Sequence, residues 1–156
     1  MAEYSREDVI RIYSGLVYRI AYSQTQSKSD AEDIFQEVFL DYLKSAPEFE
    51  SEEHQKAWLI RVTVNRCKKL WRTPWRRKTV LVDEPELCQS PTEAAVWEQV
   101  ALLPQNYRAV LYLYYYEGYS TEEIAGILHL NPPNVRTRLT RARKLLKEHL
   151  EGEWLL

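Results

Sequence analysis

Apolar residues recur at helical spacing along most of the chain, and no useful run alternates with the period of two that a strand requires. One helix is predicted to open at Ser5 and a second at Ser29, because an acidic residue three positions on completes a capping box at each. Pro47 ends the second helix, and a third is predicted over about 52–71. The pattern predicts an all-α protein.

The segment 73–90 lacks helical periodicity and contains two prolines, which is typical of a linker. A capped helix with a proline in its first turn restarts directly after it, and Pro104 begins another helix that Gly118 ends. We therefore predict two small helical domains, 1–72 and 91–150. Their apolar faces are expected to form a core in each.

The most specific pattern lies near the C-terminus, where Ser120 with Glu123 opens a helix, His129 follows in a tight turn, and Asn131 caps a second helix with Pro132 in its first position. This is the layout of a helix-turn-helix whose second helix lies in the major groove of DNA. Its candidate DNA contacts are Asn134, Arg136, Thr137, Arg138 and Arg141, and Arg143 is also available on that helix. The alternative is an ordinary helical hairpin with a solvated basic face.

The formal net charge of −2 would by itself argue against nucleic-acid binding, but the charge alternates strongly along the chain. Residues 1–50 carry −5 and residues 51–79 carry +7. Residues 80–126 carry −7 and residues 127–156 carry +3. Two basic segments separated by acidic ones indicate two DNA-facing surfaces.

The sequence gives little support for a metalloprotein, an enzyme or a membrane protein. Cys67 and Cys88 lack metal-ligand spacing and the three histidines are scattered, so no metal or cofactor is expected. There is no Gly-rich phosphate loop and no nucleophile with an evident base, so we predict no catalytic residues and no enzyme. The pair Asp33 and Glu37 as a magnesium site is a minor alternative. With no signal peptide and no apolar run near 18 residues, a cytoplasmic protein without membrane insertion is expected.

At this point the chain resembles a known family, the extracytoplasmic-function (ECF) group of bacterial RNA polymerase sigma factors, over nearly its whole length. The motifs that carry the resemblance are Asp30–Phe39 (DAEDIFQEVF), Ala57–Asn65 (AWLIRVTVN) followed by Lys68–Arg72, Leu103–Val110 (LPQNYRAV), and the helix-turn-helix. The resemblance implies an N-terminal domain for the polymerase clamp and the promoter −10 element, and a C-terminal domain for the −35 element and the β flap. It also implies that the middle domain of larger sigma factors is absent.

The resemblance assigns the acidic face of the second helix to a coiled coil of the polymerase β′ subunit. The expected contacts are Asp33, Gln36, Glu37 and Asp41, three of which follow at successive i+4 steps. From the residues alone, a solvated acidic face is an equal alternative. Phe35 and Phe39 on the same helix are expected in the core.

For the third helix, the resemblance implies contact with the −10 element, whose unstacked bases need a cationic surface. Its candidates share one helical face and are Arg61, Asn65, Lys68, Lys69 and Arg72. The acidic segment Phe49–Gln55 would form the loop that captures a flipped base. In the helix-turn-helix, His129 replaces a common glycine and Pro132–Pro133 alters the start of the second helix, so the −35 sequence does not transfer from relatives.

We therefore predict a sigma factor that binds core RNA polymerase and directs promoter-specific transcription initiation. The resemblance also implies an anti-sigma factor that holds it inactive. The alternative is a freestanding helix-turn-helix repressor or activator that uses residues 1–72 for dimerisation or ligand sensing.

Overall fold

The computed structural model describes residues 5–71 and 99–154. Its helices are α1 (Arg6–Thr25), α2 (Lys28–Ser45), α3 (Glu52–Trp71), α4 (Gln105–Tyr115), α5 (Thr121–Leu128) and α6 (Pro132–Trp154). The all-α prediction is confirmed. Within the described ranges, none of these helices is long and apolar enough to cross a membrane. The predicted linker lies outside the described residues, as does Cys88. Of the helix expected to follow the linker only the end is described, where residues 99 and 100 are helical and 101–103 form a turn.

Helices α1, α2 and α3 pack against one another and form the three-helix half. The predicted cap of α1 is confirmed, since the Ser5 hydroxyl accepts from the Asp8 N–H at 3.1 Å. The predicted cap of α2 at Ser29 is wrong. Gln26 ends α1 with a left-handed backbone at φ 54°. Ser27 follows with an extended backbone, and its hydroxyl accepts a hydrogen bond from the Asp30 N–H at 3.3 Å. The second helix therefore starts two residues earlier than its sequence pattern indicated.

Helices α4, α5 and α6 form the C-terminal half, which contains the predicted helix-turn-helix. The Ser120 capping box opens α5, and His129 ends it with a left-handed backbone at φ 56°. The Asn131 side-chain oxygen accepts from the Asn134 N–H at 2.8 Å, so it caps α6 as predicted. Gly118, expected to end α4, instead lies three residues past its last residue with φ 76°.

Two apolar clusters hold the described helices together. The first lies within the three-helix half and contains Val17, Ile34, Val38 and Leu59. The second, which we call the shared cluster, joins both halves and includes the following buried residues: Leu16, Ile20, Ile60 and Val64 with Leu103, Val110, Leu113, Ile124, Val135 and Leu139. The neighbours Leu59 and Ile60 are both fully buried, yet each belongs to a different cluster. Helix α3 is therefore buried on two sides.

Polar contacts also cross between the halves. They are the Arg19–Glu117 ion pair, the Gln105–Gln24 hydrogen bond, the Lys56 ammonium over the Tyr119 ring, and the hydrogen bond from Arg61 to the Ile127 carbonyl. Every one of these pairs joins residues more than 60 positions apart in the chain. The C-terminal half thus rests against α1 through α4 and Glu117, and against α3 through α4 and α5.

Candidate nucleic-acid and polymerase interfaces

Helix α6 buries one side and leaves the other open. Val135, Leu139 and Ala142 are at most 1% exposed and face the shared cluster. The five predicted DNA contacts lie elsewhere on the helix: Asn134, Arg136, Thr137 and Arg141 are exposed, and Arg138 is half-buried. The structure thus brings all five candidates together on the accessible side of the second helix of a helix-turn-helix.

Neighbouring side chains orient two of these arginines. Arg138 donates from Nε to the Asn134 side-chain oxygen at 3.0 Å, one helical turn away. Arg136 lies 3.8 Å from the Glu122 carboxylate on α5. Both pairs lie at the surface and include an exposed partner, so they contribute little to stability but limit the directions in which the guanidinium groups point.

Arg143 lies further along α6, on the edge of the helix that meets α4. Its Nε donates to the Tyr115 hydroxyl at 2.6 Å, and its guanidinium lies 5.4 Å and 5.5 Å from the ring centroids of Tyr114 and Tyr115. The sequence showed an available arginine but not these partners on α4. Stacking on two aromatic rings holds a cation that remains exposed to solvent.

The basic side of α3 is divided. Asn65 and Lys69 are exposed and Lys68 is half-buried. Arg61 is also half-buried, and it donates to the Ile127 carbonyl in the last turn of α5 at 3.1 Å. Burial against the C-terminal half lowers the pKa of Arg61. Arg72, the fifth candidate, lies outside the described residues.

The segment Phe49–Gln55 is not a loop throughout, and the prediction is wrong for its last four residues. The Ser51 hydroxyl accepts from the His54 N–H at 3.1 Å, so α3 already begins at Glu52. Phe49 packs edge-on against His54 and Trp58, with ring centroids 5.2 Å and 5.9 Å away. The remaining loop is therefore short and closed by aromatic contacts.

On α2, three of the four predicted polymerase contacts, Asp33, Gln36 and Glu37, are exposed. Asp41 differs, because Arg66 from α3 donates to its carboxylate at distances of 2.6 to 3.0 Å. This hydrogen bonding raises the pKa of Arg66, whose guanidinium also lies 3.5 Å from Glu37. The acidic face therefore has an open end and an end that is engaged inside the fold.

A cavity of about 300 Å³ lies where the acidic face of α2 meets α3. Its lining includes the polymerase candidates Asp33 and Glu37 together with Lys69, a −10 candidate. The two predicted sites of the three-helix half thus adjoin at one depression.

On α3, Cys67 is fully buried, and burial raises its pKa to about 12, so the thiol stays protonated near neutral pH.

Comparison with known families agrees with this arrangement. The family described as Sigma-70 region 2 matches residues 9–77, and the family described as Sigma-70, region 4 matches residues 93–146. The ECF RNA polymerase sigma factor SigE of Mycolicibacterium smegmatis is 30% identical over 94% of this chain, which spans 62% of SigE. The RNA polymerase sigma factor SigV of Bacillus subtilis is 29% identical over 87% of this chain and 85% of its own length.

Solved structures share the fold across both halves. The sigma factor RpoE of Bartonella quintana, in complex with the anti-sigma factor NepR, superimposes with a TM-score of 0.74 at 20% identity, covering 93% of this chain and 96% of RpoE. CnrH, in complex with the cytosolic domain of CnrY, superimposes with a TM-score of 0.71 at 23% identity, covering 94% of this chain and 88% of CnrH.

The chain belongs to the sigma-70 family of bacterial RNA polymerase sigma factors, in its ECF group. The function predicted from the sequence, promoter-specific transcription initiation as a sigma factor, is confirmed at the level of this class. The alternative of a freestanding repressor or activator is not favoured.

Proposed function

We propose that the chain binds core RNA polymerase through the open end of the acidic face of α2 and directs it to promoters. In this proposal α3 contacts the −10 element and α6 contacts the −35 element. The observation that carries it is the pairing of two basic helical sides, one in each half, with the two sigma-70 regions that match the same halves. The corresponding domains are residues 1–72 and 91–150, joined by 73–90.

The acidic face fits a basic partner. Asp33 and Glu37 lie one helical turn apart, and Gln36 beside them offers an amide. These groups are exposed, although Glu37 also lies 3.5 Å from Arg66, the residue whose ion pair with Asp41 ties the other end of the face to α3. A basic coiled coil, such as that of the β′ clamp, matches this charge, and the β flap is the proposed partner of the C-terminal half.

For the −35 element, α6 offers the geometry of direct readout. Asn134 is one helical turn before Arg138, and Arg141 follows on the same side. Arginine can bind guanine through two hydrogen bonds, while arginine bound to phosphate acts independently of sequence. We assign contacts with the bases to Arg138 and Arg141, and a supporting contact with the phosphate backbone of the DNA to Arg143.

In this proposal the chain has no active site of its own and relies on the active site of the polymerase. It therefore acts in the cytoplasm. RpoE was solved in complex with the anti-sigma factor NepR, and CnrH in complex with the cytosolic domain of CnrY. We propose an anti-sigma factor for this chain too, bound across the surfaces of both halves.

The test is capture of core RNA polymerase by the purified full-length chain, followed by transcription from a promoter library. We expect binding and selective initiation, with both elements visible among the selected promoters. The double variant Asp33→Lys with Glu37→Lys should lose most core binding. The matched control, Glu7→Lys with Glu148→Lys, makes the same charge change at exposed positions on α1 and α6 and should bind normally.

A folded chain that binds no core polymerase would contradict the proposed function. Equal binding by the two charge-reversed variants would instead remove the acidic face of α2 from the interface and leave the function standing.

A further inference from the structure

The first turn of α6 is held rigidly. Pro132 and Pro133 are the first two residues of the helix, and their rings fix the backbone angle φ at both positions. The N–H of Asn134, the third residue, donates to the Asn131 side-chain oxygen at 2.8 Å. The N–H of Val135 donates to the Asn131 carbonyl at 3.2 Å. The backbone of Asn134 is therefore fixed at the start of the exposed side of α6.

Asn134 in turn holds the side chain of Arg138. The Arg138 Nε donates to the Asn134 side-chain oxygen at 3.0 Å, across one helical turn. A guanidinium is a planar fork of N–H donors, and this bond uses the donor nearest the aliphatic part of the side chain. The two terminal nitrogens remain for the paired hydrogen bonds that arginine makes to O6 and N7 of guanine in the major groove. Hydrogen bonds thus lead from the turn to the guanidinium.

Arg141, the other arginine assigned to the bases, has no such support. It is exposed, and it forms no hydrogen bond or ion pair with any residue that the structure describes. A free arginine side chain loses rotamer freedom when it binds, whereas a side chain that is already fixed loses less. A fixed guanidinium also cannot turn toward a phosphate or a neighbouring base when its own base is replaced. Fixing an arginine therefore increases its discrimination between bases.

We propose that Asn134 is a positioning residue that aims Arg138 at one guanine of the −35 duplex and does not itself contact a base. This proposal rests on the proposed function, in which α6 contacts the −35 element. It gives the two arginines different selectivity. The guanine bound by Arg138 is required strictly, whereas the base pair contacted by Arg141 tolerates replacement.

The experiment measures Kd by fluorescence anisotropy for the full-length chain on duplexes that carry a −35 element selected from the promoter library. Each base pair is replaced in turn, and the ratio of the two Kd values is the discrimination at that position. Arg138→Ala identifies the base pair that Arg138 reads, since discrimination is lost there. Asn134→Ala should lower discrimination at that same position by about fivefold and change it little elsewhere. The matched control Thr140→Ala, at another exposed position of α6, should leave discrimination unchanged at every position.

Two further measurements separate positioning from direct contact. In the Arg138→Ala background, Asn134→Ala should change discrimination at no position, because the side chain that it orients is gone. Asn134→Asp keeps an oxygen that accepts from Nε, so discrimination should be retained. Its negative charge should weaken binding to all duplexes alike by repelling phosphates. A purely structural role of Asn134 would not preserve discrimination while affinity falls.

Equal discrimination by Asn134→Ala and Thr140→Ala would overturn the proposal. So would a loss at a second base pair that persists in the Arg138→Ala background, because Asn134 would then read that base directly. Core polymerase binding and initiation are assayed in parallel. A chain that initiates selectively but fails these tests refutes this proposal alone, whereas a chain that binds no core polymerase refutes the proposed function.

Discussion

The two basic helices, α3 and α6, differ in what lies beside their cationic residues. In α6 the buried residues form one stripe facing the shared cluster, and the opposite side is open. In α3, Leu59 and Ile60 point into different clusters, so only a narrow strip reaches the surface. One end of that strip, Arg61, lies against α5. Two helices of similar basic composition thus expose their cationic side chains to different extents, because the neighbouring apolar residues determine which helix packs over each charge.

This contrast also separates two kinds of contact. The partners of Arg138 and Arg136 lie within the helix-turn-helix, so they stay in place if the halves move apart. The partner of Arg61 lies in the other half and is lost on separation. The −35 candidate surface is therefore complete within one half, whereas the −10 candidate surface depends on the arrangement of both.

The largest expected effect comes from the shared cluster. Ile60→Ala should lower the free energy of unfolding by about 2–5 kcal/mol, as truncation of a fully buried side chain commonly does. It should also speed native-state hydrogen exchange in α4 and α5, because the cavity opens between the halves. Leu59→Ala is the matched control. It should lower the free energy of unfolding by a similar amount, but it should increase hydrogen exchange first in α1 and α2. The same exchange pattern for both variants would mean that α3 does not join two separate clusters.

Arg138→Ala should weaken binding of the free chain to −35 duplex DNA by about 1–3 kcal/mol, the usual value of a base contact by arginine. Its thermal unfolding and its binding to core polymerase should be unchanged, because the side chain bonds only within α6 among the contacts described. Fluorescence anisotropy with specific and scrambled duplexes measures the effect. An equal loss on both duplexes would reassign Arg138 to the phosphate backbone.

Arg61→Ala should reduce the free energy of unfolding by about 1 kcal/mol, the typical net value of a hydrogen bond, because the Ile127 carbonyl loses its donor. Binding of free chain to −35 duplex should not change. Urea denaturation measures the first effect and anisotropy the second. Asn65→Ala, at an exposed position one turn along α3, is the control and should be neutral in stability. Neutral behaviour of Arg61→Ala would show that this contact adds nothing to the compact arrangement.

The smallest effect is expected at the turn between α5 and α6. His129→Gly should raise the free energy of unfolding by about 0.5 kcal/mol, because glycine adopts the left-handed backbone without strain but is freer when unfolded. Differential scanning calorimetry should show one transition at slightly higher temperature, since the shared cluster couples the halves. Two transitions, of which only one moves, would mean that the halves unfold separately.

The helices were predictable where their signals are local. The caps at Ser5, Ser120 and Asn131 are formed within four residues, and all three appear as predicted. The cap at Ser29 failed for a reason that the spacing alone does not contain. Gln26 takes a left-handed backbone, which leaves Ser27 as the first residue able to cap α2. Two serines near the start of α2 could each cap the helix, and the backbone geometry of the preceding residue determines which of them does so.

The candidate sites were predictable to a different degree. The open side of α6 follows from helical spacing, so its candidates lie together as expected. The engagement of Asp41 by Arg66 and of Arg61 by Ile127 joins residues 25 and 66 positions apart. Such pairs depend on how helices pack, which spacing within one helix does not encode. The division into domains 1–72 and 91–150 stays a prediction, since residues 72–98 lie outside the described ranges.

The hydrogen bond from Arg61 to Ile127 also bears on how this chain can evolve. On the proposed function, position 61 takes part both in promoter contact and in the resting shape of the molecule. A substitution selected for one of these properties changes the other at the same moment. We therefore expect residue 61 to vary together with the end of α5 among descendants of this chain, whereas Arg141 remains free to change with the promoter alone.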